Sequence, residues 1–231
     1  SLYPWMREQL GDDAQLHSDP NVFVSSRENV VDGKSRTERL IIGCYVDDLY
    51  ILASHQDSSS LYGKFTRELK SRWEVEDEGE VSDLLGVEIS SADGHVTLRQ
   101  AAYISKMADT WFPGGVPTTI QSNKTPCDVD LKGLVLDALL DESERDPEAI
   151  RLYQSLVGAL IYASTHTRPD VAFAVGMLCR AMARPTPELQ AAALRVLGYL
   201  YRTRELGLRY SADLLPVRGF SDSDWAVKHS T

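Results

Sequence analysis

The sequence predicts an α+β chain, on three observations. Its first hundred residues set apolar strand-like runs between turn signals, its later part carries helical periodicity, and its last residues return to a period of two. At 231 residues the chain buries enough surface for one large domain or two modest ones without disulfide staples.

Leu40-Ile41-Ile42-Gly43-Cys44-Tyr45-Val46 predicts a buried strand and Leu49-Tyr50-Ile51-Leu52-Ala53 a second. Only Asp47 and Asp48 separate them, which demands a tight hairpin, and aspartate suits a turn because its short side chain satisfies local amides. Ser58-Ser59-Ser60 then offers an N-cap to a helix with Leu61, Phe65, Leu69 and Trp73 on one face. After an acidic turn from Glu74 to Glu80, Leu84 to Ile89 predicts a strand, Ala92-Asp93-Gly94 a turn and His95 to Arg99 the return strand. A short helix follows over Tyr103 to Phe112.

From Pro113 to Pro147 no period is sustained, and the stretch predicts a linker or surface connection. Three helices come next. The first places Ile150, Tyr153, Val157, Leu160 and Ile161 on one face. The second starts at Pro169 and carries Val171, Val175, Leu178 and Met182. Thr186-Pro187 opens the third, with Leu189, Ala193, Val196, Leu197 and Leu200 inward and Arg195 and Arg202 outward. Gly207 to Tyr210 and Val217 to Phe220 predict two strands of a new sheet. The expected divisions are therefore 1–112, a linker over 113–148, a helical part over 149–205 and the new sheet over 206–231.

Composition excludes several classes. With 43% hydrophobic and 25% charged residues the chain is neither disordered nor fibrous, and no apolar run reaches membrane-spanning length. The N-terminal residues lack the pattern of a signal peptide. Cys44, Cys127 and Cys179 are odd in number and far apart, which fits a reducing, intracellular compartment. The net charge of -10 argues against wrapping nucleic acid by bulk charge, yet the stretch from Arg168 to Arg218 is net positive by four and could face a polyanion. The histidines make no zinc spacing with the cysteines, and no Gly-rich phosphate loop or Gly-x-Ser-x-Gly elbow occurs.

Tyr45-Val46-Asp47-Asp48 is the sharpest chemical feature. Adjacent carboxylates at a hairpin tip repel unless a cation lies between them, and Mg²⁺ or Mn²⁺ would relieve that repulsion. Two such ions can clamp the attacking and leaving oxygens of an in-line phosphoryl transfer. The same tetrad also fits a surface hairpin with two solvated acids. Asp222 and Asp224, two apart, would share one strand face, although polar residues at strand ends are common.

The tetrad with Leu49 resembles the polymerase signature of copia-type LTR-retrotransposon reverse transcriptases. The resemblance continues through Gly79-Glu80, Leu85 to Ile89, Leu98-Arg99-Gln100, Tyr103 to Lys106, Thr125-Pro126, Tyr153 to Tyr162, Thr167 to Val171 and Phe220 to Ala226, so it spans nearly the whole chain. It implies a right-hand polymerase: a partial palm over 1–112, a thumb or connection over 149–205 and the start of an RNase H-like domain over 206–231. Asp47 and Asp48 would be catalytic metal ligands, with Asp222 the first metal ligand of RNase H. Tyr45 would lie near the incoming nucleotide or primer end, and Leu98, Arg99 and Gln100 would hold the primer strand, residues that otherwise read as an ordinary solvent-facing hairpin. Arg195 and Arg202 would track the duplex. The implied partners are an RNA template, a DNA primer, deoxynucleoside triphosphates and the remainder of a Pol polyprotein, in a cytoplasmic particle or the nucleus.

The family also uses a third carboxylate on an earlier palm strand. Neither Asp12 nor Asp13 has a strand context that would let it substitute, and the resemblance implies that Ala226 to Thr231 falls within the first part of RNase H. The expectation is a Pol fragment inactive by itself. Its alternatives are a non-catalytic binder of RNA–DNA hybrid and a decayed remnant.

Overall fold

Residues 1–128, 130–211, 219 and 221 are described in a computed structural model. The chain divides into two units, Ser1–Val81 and Ser82–Thr231.

The first unit is built on an antiparallel sheet of β1 (Val22–Val31), β2 (Lys34–Tyr45) and β3 (Asp48–Ala53), in that order. The β1–β2 hairpin turns at Asp32 and Gly33, both at positive φ (51° and 75°), which suits the right-handed twist of the flanking strands. β1 has no counterpart in the sequence expectation, because Arg27, Glu28 and Asn29 interrupt its apolar pattern. One sheet face carries Phe23, Leu40, Ile42 and Cys44, which cluster with Trp5 and Met6 of α1 (Leu2–Leu10) and Phe65 and Leu69 of α2 (Leu61–Arg72). Trp5 packs at 5.4 Å from the Phe65 ring and 4.8 Å from the Trp73 ring. α2 starts as expected: the Ser60 hydroxyl accepts from the Gly63 amide at 3.1 Å.

Glu38 stands on the same buried face of β2 with 1% of its surface exposed. It accepts from Arg27 Nε (2.9 Å), Asn29 Nδ2 (2.8 Å), Arg36 Nε and Nη2 (2.9 and 2.6 Å) and the Leu61 amide at the start of α2 (2.9 Å). Burial pushes its carboxyl upward, but the bonds from Asn29, Arg36, Arg27 and Leu61 outweigh burial and hold it at about 2.

The second unit pairs a four-stranded antiparallel sheet with six helices among the described residues. Its strands run β4 (Asp83–Leu84), β5 (Val87–Ala92), β6 (His95–Arg99) and β7 (Leu208–Ser211), in that spatial order. The expected single strand over Leu84 to Ile89 is broken by a turn at Leu85 and Gly86, with φ of 55° and 79°. β7 also departs from expectation. It pairs with β6, from Leu98↔Leu208 to His95↔Ser211, and so extends the earlier hairpin instead of opening a new sheet. The strand expected at Val217 to Phe220 falls, except for Gly219, outside the described residues.

The helices are α3 (Ala101–Trp111), α4 (Thr118–Gln121), α5 (Leu131–Leu140), α6 (Pro147–His166), α7 (Ala172–Cys179) and α8 (Pro187–Arg202). The segment expected to be a linker thus holds two helices, and α5 buries Leu131, Val135 and Ala138 in the helical core. α5 hides its period by being apolar nearly all round, with Leu136 and Leu140 exposed. α8 buries all five residues assigned inward, is capped by Thr186 and begins with Pro187 in its first turn. Arg168, after α6, is 1% exposed and donates to Asp170 and to the carbonyl and hydroxyl of Thr203, joining the C-terminal ends of α6 and α8. No helix of the described residues is long and apolar enough to cross a membrane.

Because Glu38 is depressed from 4.5 to about 2, its stabilisation is complete above its unfolded value and is lost as pH falls through that window. Glu38→Gln is expected to cost about 2 kcal/mol at neutral pH and to flatten the acid limb of a pH-dependent urea titration.

Candidate active site

Strand pairing places the Asp-Asp tip one residue away from the sequence expectation. Tyr45 pairs with Asp48, so the two-residue turn is Val46-Asp47 and Asp48 begins β3. Val46 sits at φ 52° and is 83% exposed. A β-branched side chain in that region crowds its own backbone, so the turn is strained and no burial of Val46 offsets the cost. Asp47 and Asp48 are both exposed, with no ion pair among the described residues.

Tyr45 is 50% exposed on the sheet face opposite α1 and α2. That face continues through Gly43, which leaves open space above it, to Ile41, whose cross-strand partners are Val24 and Leu52. An open, partly apolar platform therefore leads up to two carboxylates. Carboxylate oxygens are hard donors, the set Mg²⁺ and Mn²⁺ prefer, and Mg²⁺ characteristically takes one or two carboxylates while water and phosphate complete its shell. The tip fits such an ion through Asp47 and Asp48. Among the described residues no group of three His, Cys, Asp or Glu side chains forms a fuller cage.

The other expected site residues lie in the second unit. Leu98 is half-buried opposite Leu208. Arg99 donates through Nε to Glu88 at 3.0 Å and through Nη1 to Glu205 at 3.3 Å. Gln100 is fully buried; its Oε1 accepts from the Thr167 hydroxyl at 2.8 Å and its Nε2 has no partner among the described residues. Glu88 also accepts from the Ala102 amide at 2.7 Å and so caps α3. Arg195 is only partly exposed: it pairs with Asp128 and donates to Thr125 Oγ1 at 3.2 Å. Arg202 is exposed over the Tyr199 ring at 5.6 Å, and the Tyr199 hydroxyl donates to Asp170 at 3.0 Å. Asp222 lies outside the described residues.

Glu88, Thr167, Tyr199 and Glu205 were not among the expected residues. Glu88 had a signal: counting outward from the Asp93-Gly94 turn sets it opposite Arg99, the pairing observed. Glu205 and Thr167 reach their partners across 106 and 67 residues, and no local pattern marks them.

Two stability predictions follow from these contacts. Val46→Gly is expected to raise stability by up to about 1 kcal/mol by relieving the turn, read as a higher urea midpoint. Thr167→Val is expected to cost about 1–3 kcal/mol by leaving both ends of Gln100 unpaired. Pairing it with Gln100→Leu should return most of that loss, and a double-mutant cycle measures the coupling.

A family model described as reverse transcriptase (RNA-dependent DNA polymerase) matches residues 28–115, a stretch containing the Asp47-Asp48 tip and the β5–β6 hairpin. A putative transposon Ty5-1 protein of Saccharomyces cerevisiae is 31% identical over 193 residues, covering 82% of this chain and 58% of that protein. An uncharacterized mitochondrial protein of Arabidopsis thaliana is 32% identical over 188 residues, 81% of this chain and 72% of that protein. The retrovirus-related Pol polyprotein from transposon RE1 of Arabidopsis thaliana is 32% identical over 211 residues, and the match takes in 90% of this chain but only 13% of the polyprotein. No solved structure matches. On its strand-borne Tyr-Val-Asp-Asp tip and on these relatives, the chain belongs to the copia-type retrotransposon reverse transcriptase family.

Proposed function

We propose that the chain is the part of a copia-type Pol polyprotein that carries the catalytic hairpin of an RNA-directed DNA polymerase. The observation supporting this most directly is the tip itself: two exposed carboxylates with no ion pair among the described residues, at the end of a hairpin anchored by a buried core. Asp47 and Asp48 hold Mg²⁺ or Mn²⁺, which when bound neutralises phosphate charge during nucleotidyl transfer. Tyr45 and the flat face above Gly43 border the primer end and the incoming nucleotide. In the second unit Leu98 and Arg99 contact the primer strand, and Gln100, buried against Thr167, fixes the end of that hairpin. Arg202 faces the duplex, and Arg195 shapes the same helix from its pair with Asp128. The substrates are an RNA template, a DNA primer and deoxynucleoside triphosphates, and the rest of Pol is the partner. The first unit and the β5–β6 hairpin belong to the palm and α6 to α8 to the thumb or connection. The chain after β7 begins an RNase H-like domain with Asp222 as a metal ligand.

A second reading, a non-catalytic binder of RNA–DNA hybrid, is favoured by one observation: no third acid among the described residues groups with Asp47 and Asp48. The two are separated by experiment. Mn²⁺ is expected to broaden the amide resonances of residues 46–49 selectively, and Asp47→Asn with Asp48→Asn should abolish the effect. With the chain joined to the rest of Pol, primer extension on a primed RNA template should fall by about a hundredfold or more in that double variant. Hybrid binding without broadening, and without extension when the chain is joined to the rest of Pol, would sink the polymerase reading and leave the binder.

A further inference from the structure

The end of β6 and the turn after α8 bring a small cationic cluster together around one carboxylate. Glu205 Oε2 is 3.3 Å from Arg99 Nη1, and Glu205 Oε1 is 3.9 Å from Arg204 Nε. Arg99 is oriented from its other side by Glu88, at 3.0 Å from Nε, and its Nη2 has no partner among the described residues. Arg204 is steadied independently, lying 4.6 Å over the Tyr201 ring and donating to the Tyr201 carbonyl at 3.0 Å. Both guanidiniums would therefore keep their places without Glu205. Glu205 itself is 68% exposed, and ion pairs so exposed contribute little to stability. A carboxylate between two guanidiniums occupies the position that the oxygens of a phosphate would take.

We propose that Arg99 and Arg204 form a binding site for a backbone phosphate of nucleic acid, and that Glu205 occupies it in the free protein as an internal anion. The proposal rests on the nucleic-acid reading above and adds to it a second cation and a competitor. On binding, the Glu205 side chain swings into solvent and the phosphate takes its place, while Glu88 keeps Arg99 aimed at the site. The device sets a threshold: a single stray anion gains little by displacing a tethered carboxylate, whereas a duplex held at other points displaces it readily.

The test is fluorescence anisotropy of the full chain with a labelled RNA–DNA hybrid over a range of salt. Glu205→Gln is expected to tighten binding by roughly three- to tenfold and to steepen the salt dependence by about one counterion. Asp109→Asn, which removes an exposed acid with no ion pair among the described residues, measures the general effect of one less negative charge. The gain should vanish when Arg99→Gln or Arg204→Gln accompanies Glu205→Gln, with melting temperatures unchanged. A gain no larger than that of Asp109→Asn, or one that survives loss of either arginine, overturns the site while leaving the nucleic-acid reading intact. Hybrid that fails to bind the unaltered chain at low salt removes that reading, and the site with it. Inorganic phosphate at matched ionic strength should not compete; if it does, the partner is free phosphate and the assignment to a nucleic-acid backbone fails.

Discussion

The Glu38 carboxylate lies almost wholly inside the first unit, and five hydrogen bonds converge on it from two strands and the start of a helix. An ionised group in that place is tolerable only while every donor stays where it is. Arg27 and Asn29 tie β1 to β2, and the Leu61 amide docks the positive end of α2 against the sheet. Arg36 extends the network to Asp57, just ahead of the helix cap. A one-residue slip of β2 would carry Glu38 to the open face and Leu40, Ile42 and Cys44 with it. The register so fixed is the one that sets Tyr45 opposite Asp48. The geometry of the carboxylate tip is thus decided several residues away, by a charge that never touches it.

A buried guanidinium plays the matching part in the second unit. Arg168 bridges Asp170 and Thr203, while the neighbouring Thr167 bonds Gln100 and Tyr162 donates to the Leu85 carbonyl. Burial raises the Asp170 carboxyl, but the Arg168 charge and the Tyr199 hydroxyl outweigh it and the carboxyl is lowered. The hairpin of β5 and β6 is fastened to α6 at both of its ends and to the segment after α8 through β7. Leu98, Arg99 and Gln100 consequently belong to the same body as the arginine-bearing helix α8, and any nucleic acid that engages one is presented to the other in a fixed relation.

What the sequence made legible follows the range of the forces involved. Local signals were readable: the Ser60 and Thr186 caps, the Asp93-Gly94 turn, and the inward stripe from Leu189 to Leu200 all appear where expected. β1 escaped because its inward positions include Arg27 and Asn29, which are inward only on account of Glu38. The Asp32-Gly33 pair was nevertheless a strong hairpin signal in plain sight. α5 escaped because an all-round apolar decapeptide with Gly133 inside it has no face to read. The carboxylate pair was legible as chemistry but misplaced by one residue, since composition suggested aspartates in the turn whereas the pairing put Val46 there. Arg195 read as a free cation on a helix face; only the fold supplies Asp128, 67 residues earlier.

The two units manage charge in opposite ways, and the difference bears on what each can bind. In the first unit the fold neutralises a buried acid completely and leaves most exposed acids, Asp47 and Asp48 among them, without ion pairs among the described residues, so its unmet electrostatic demand is for a cation. In the second unit many of the arginines are already engaged: Arg168, Arg184 and Arg195 by protein oxygens, Arg99 by two carboxylates. The excess positive charge counted along the sequence therefore overstates what a polyanion meets. Arg151, Arg180, Arg202 and Arg209 are exposed with no ion pair among the described residues, Arg202 stacked on Tyr199, while one exposed glutamate stands between Arg99 and Arg204. A chain with net charge -10 can engage a polyanion only through locally exposed cations, because its long-range field opposes approach. At the proposed site, engagement would be a short-range exchange of one anion for another between fixed guanidiniums, and its strength would depend less on how many arginines the helices carry than on which of them the fold leaves unpaired.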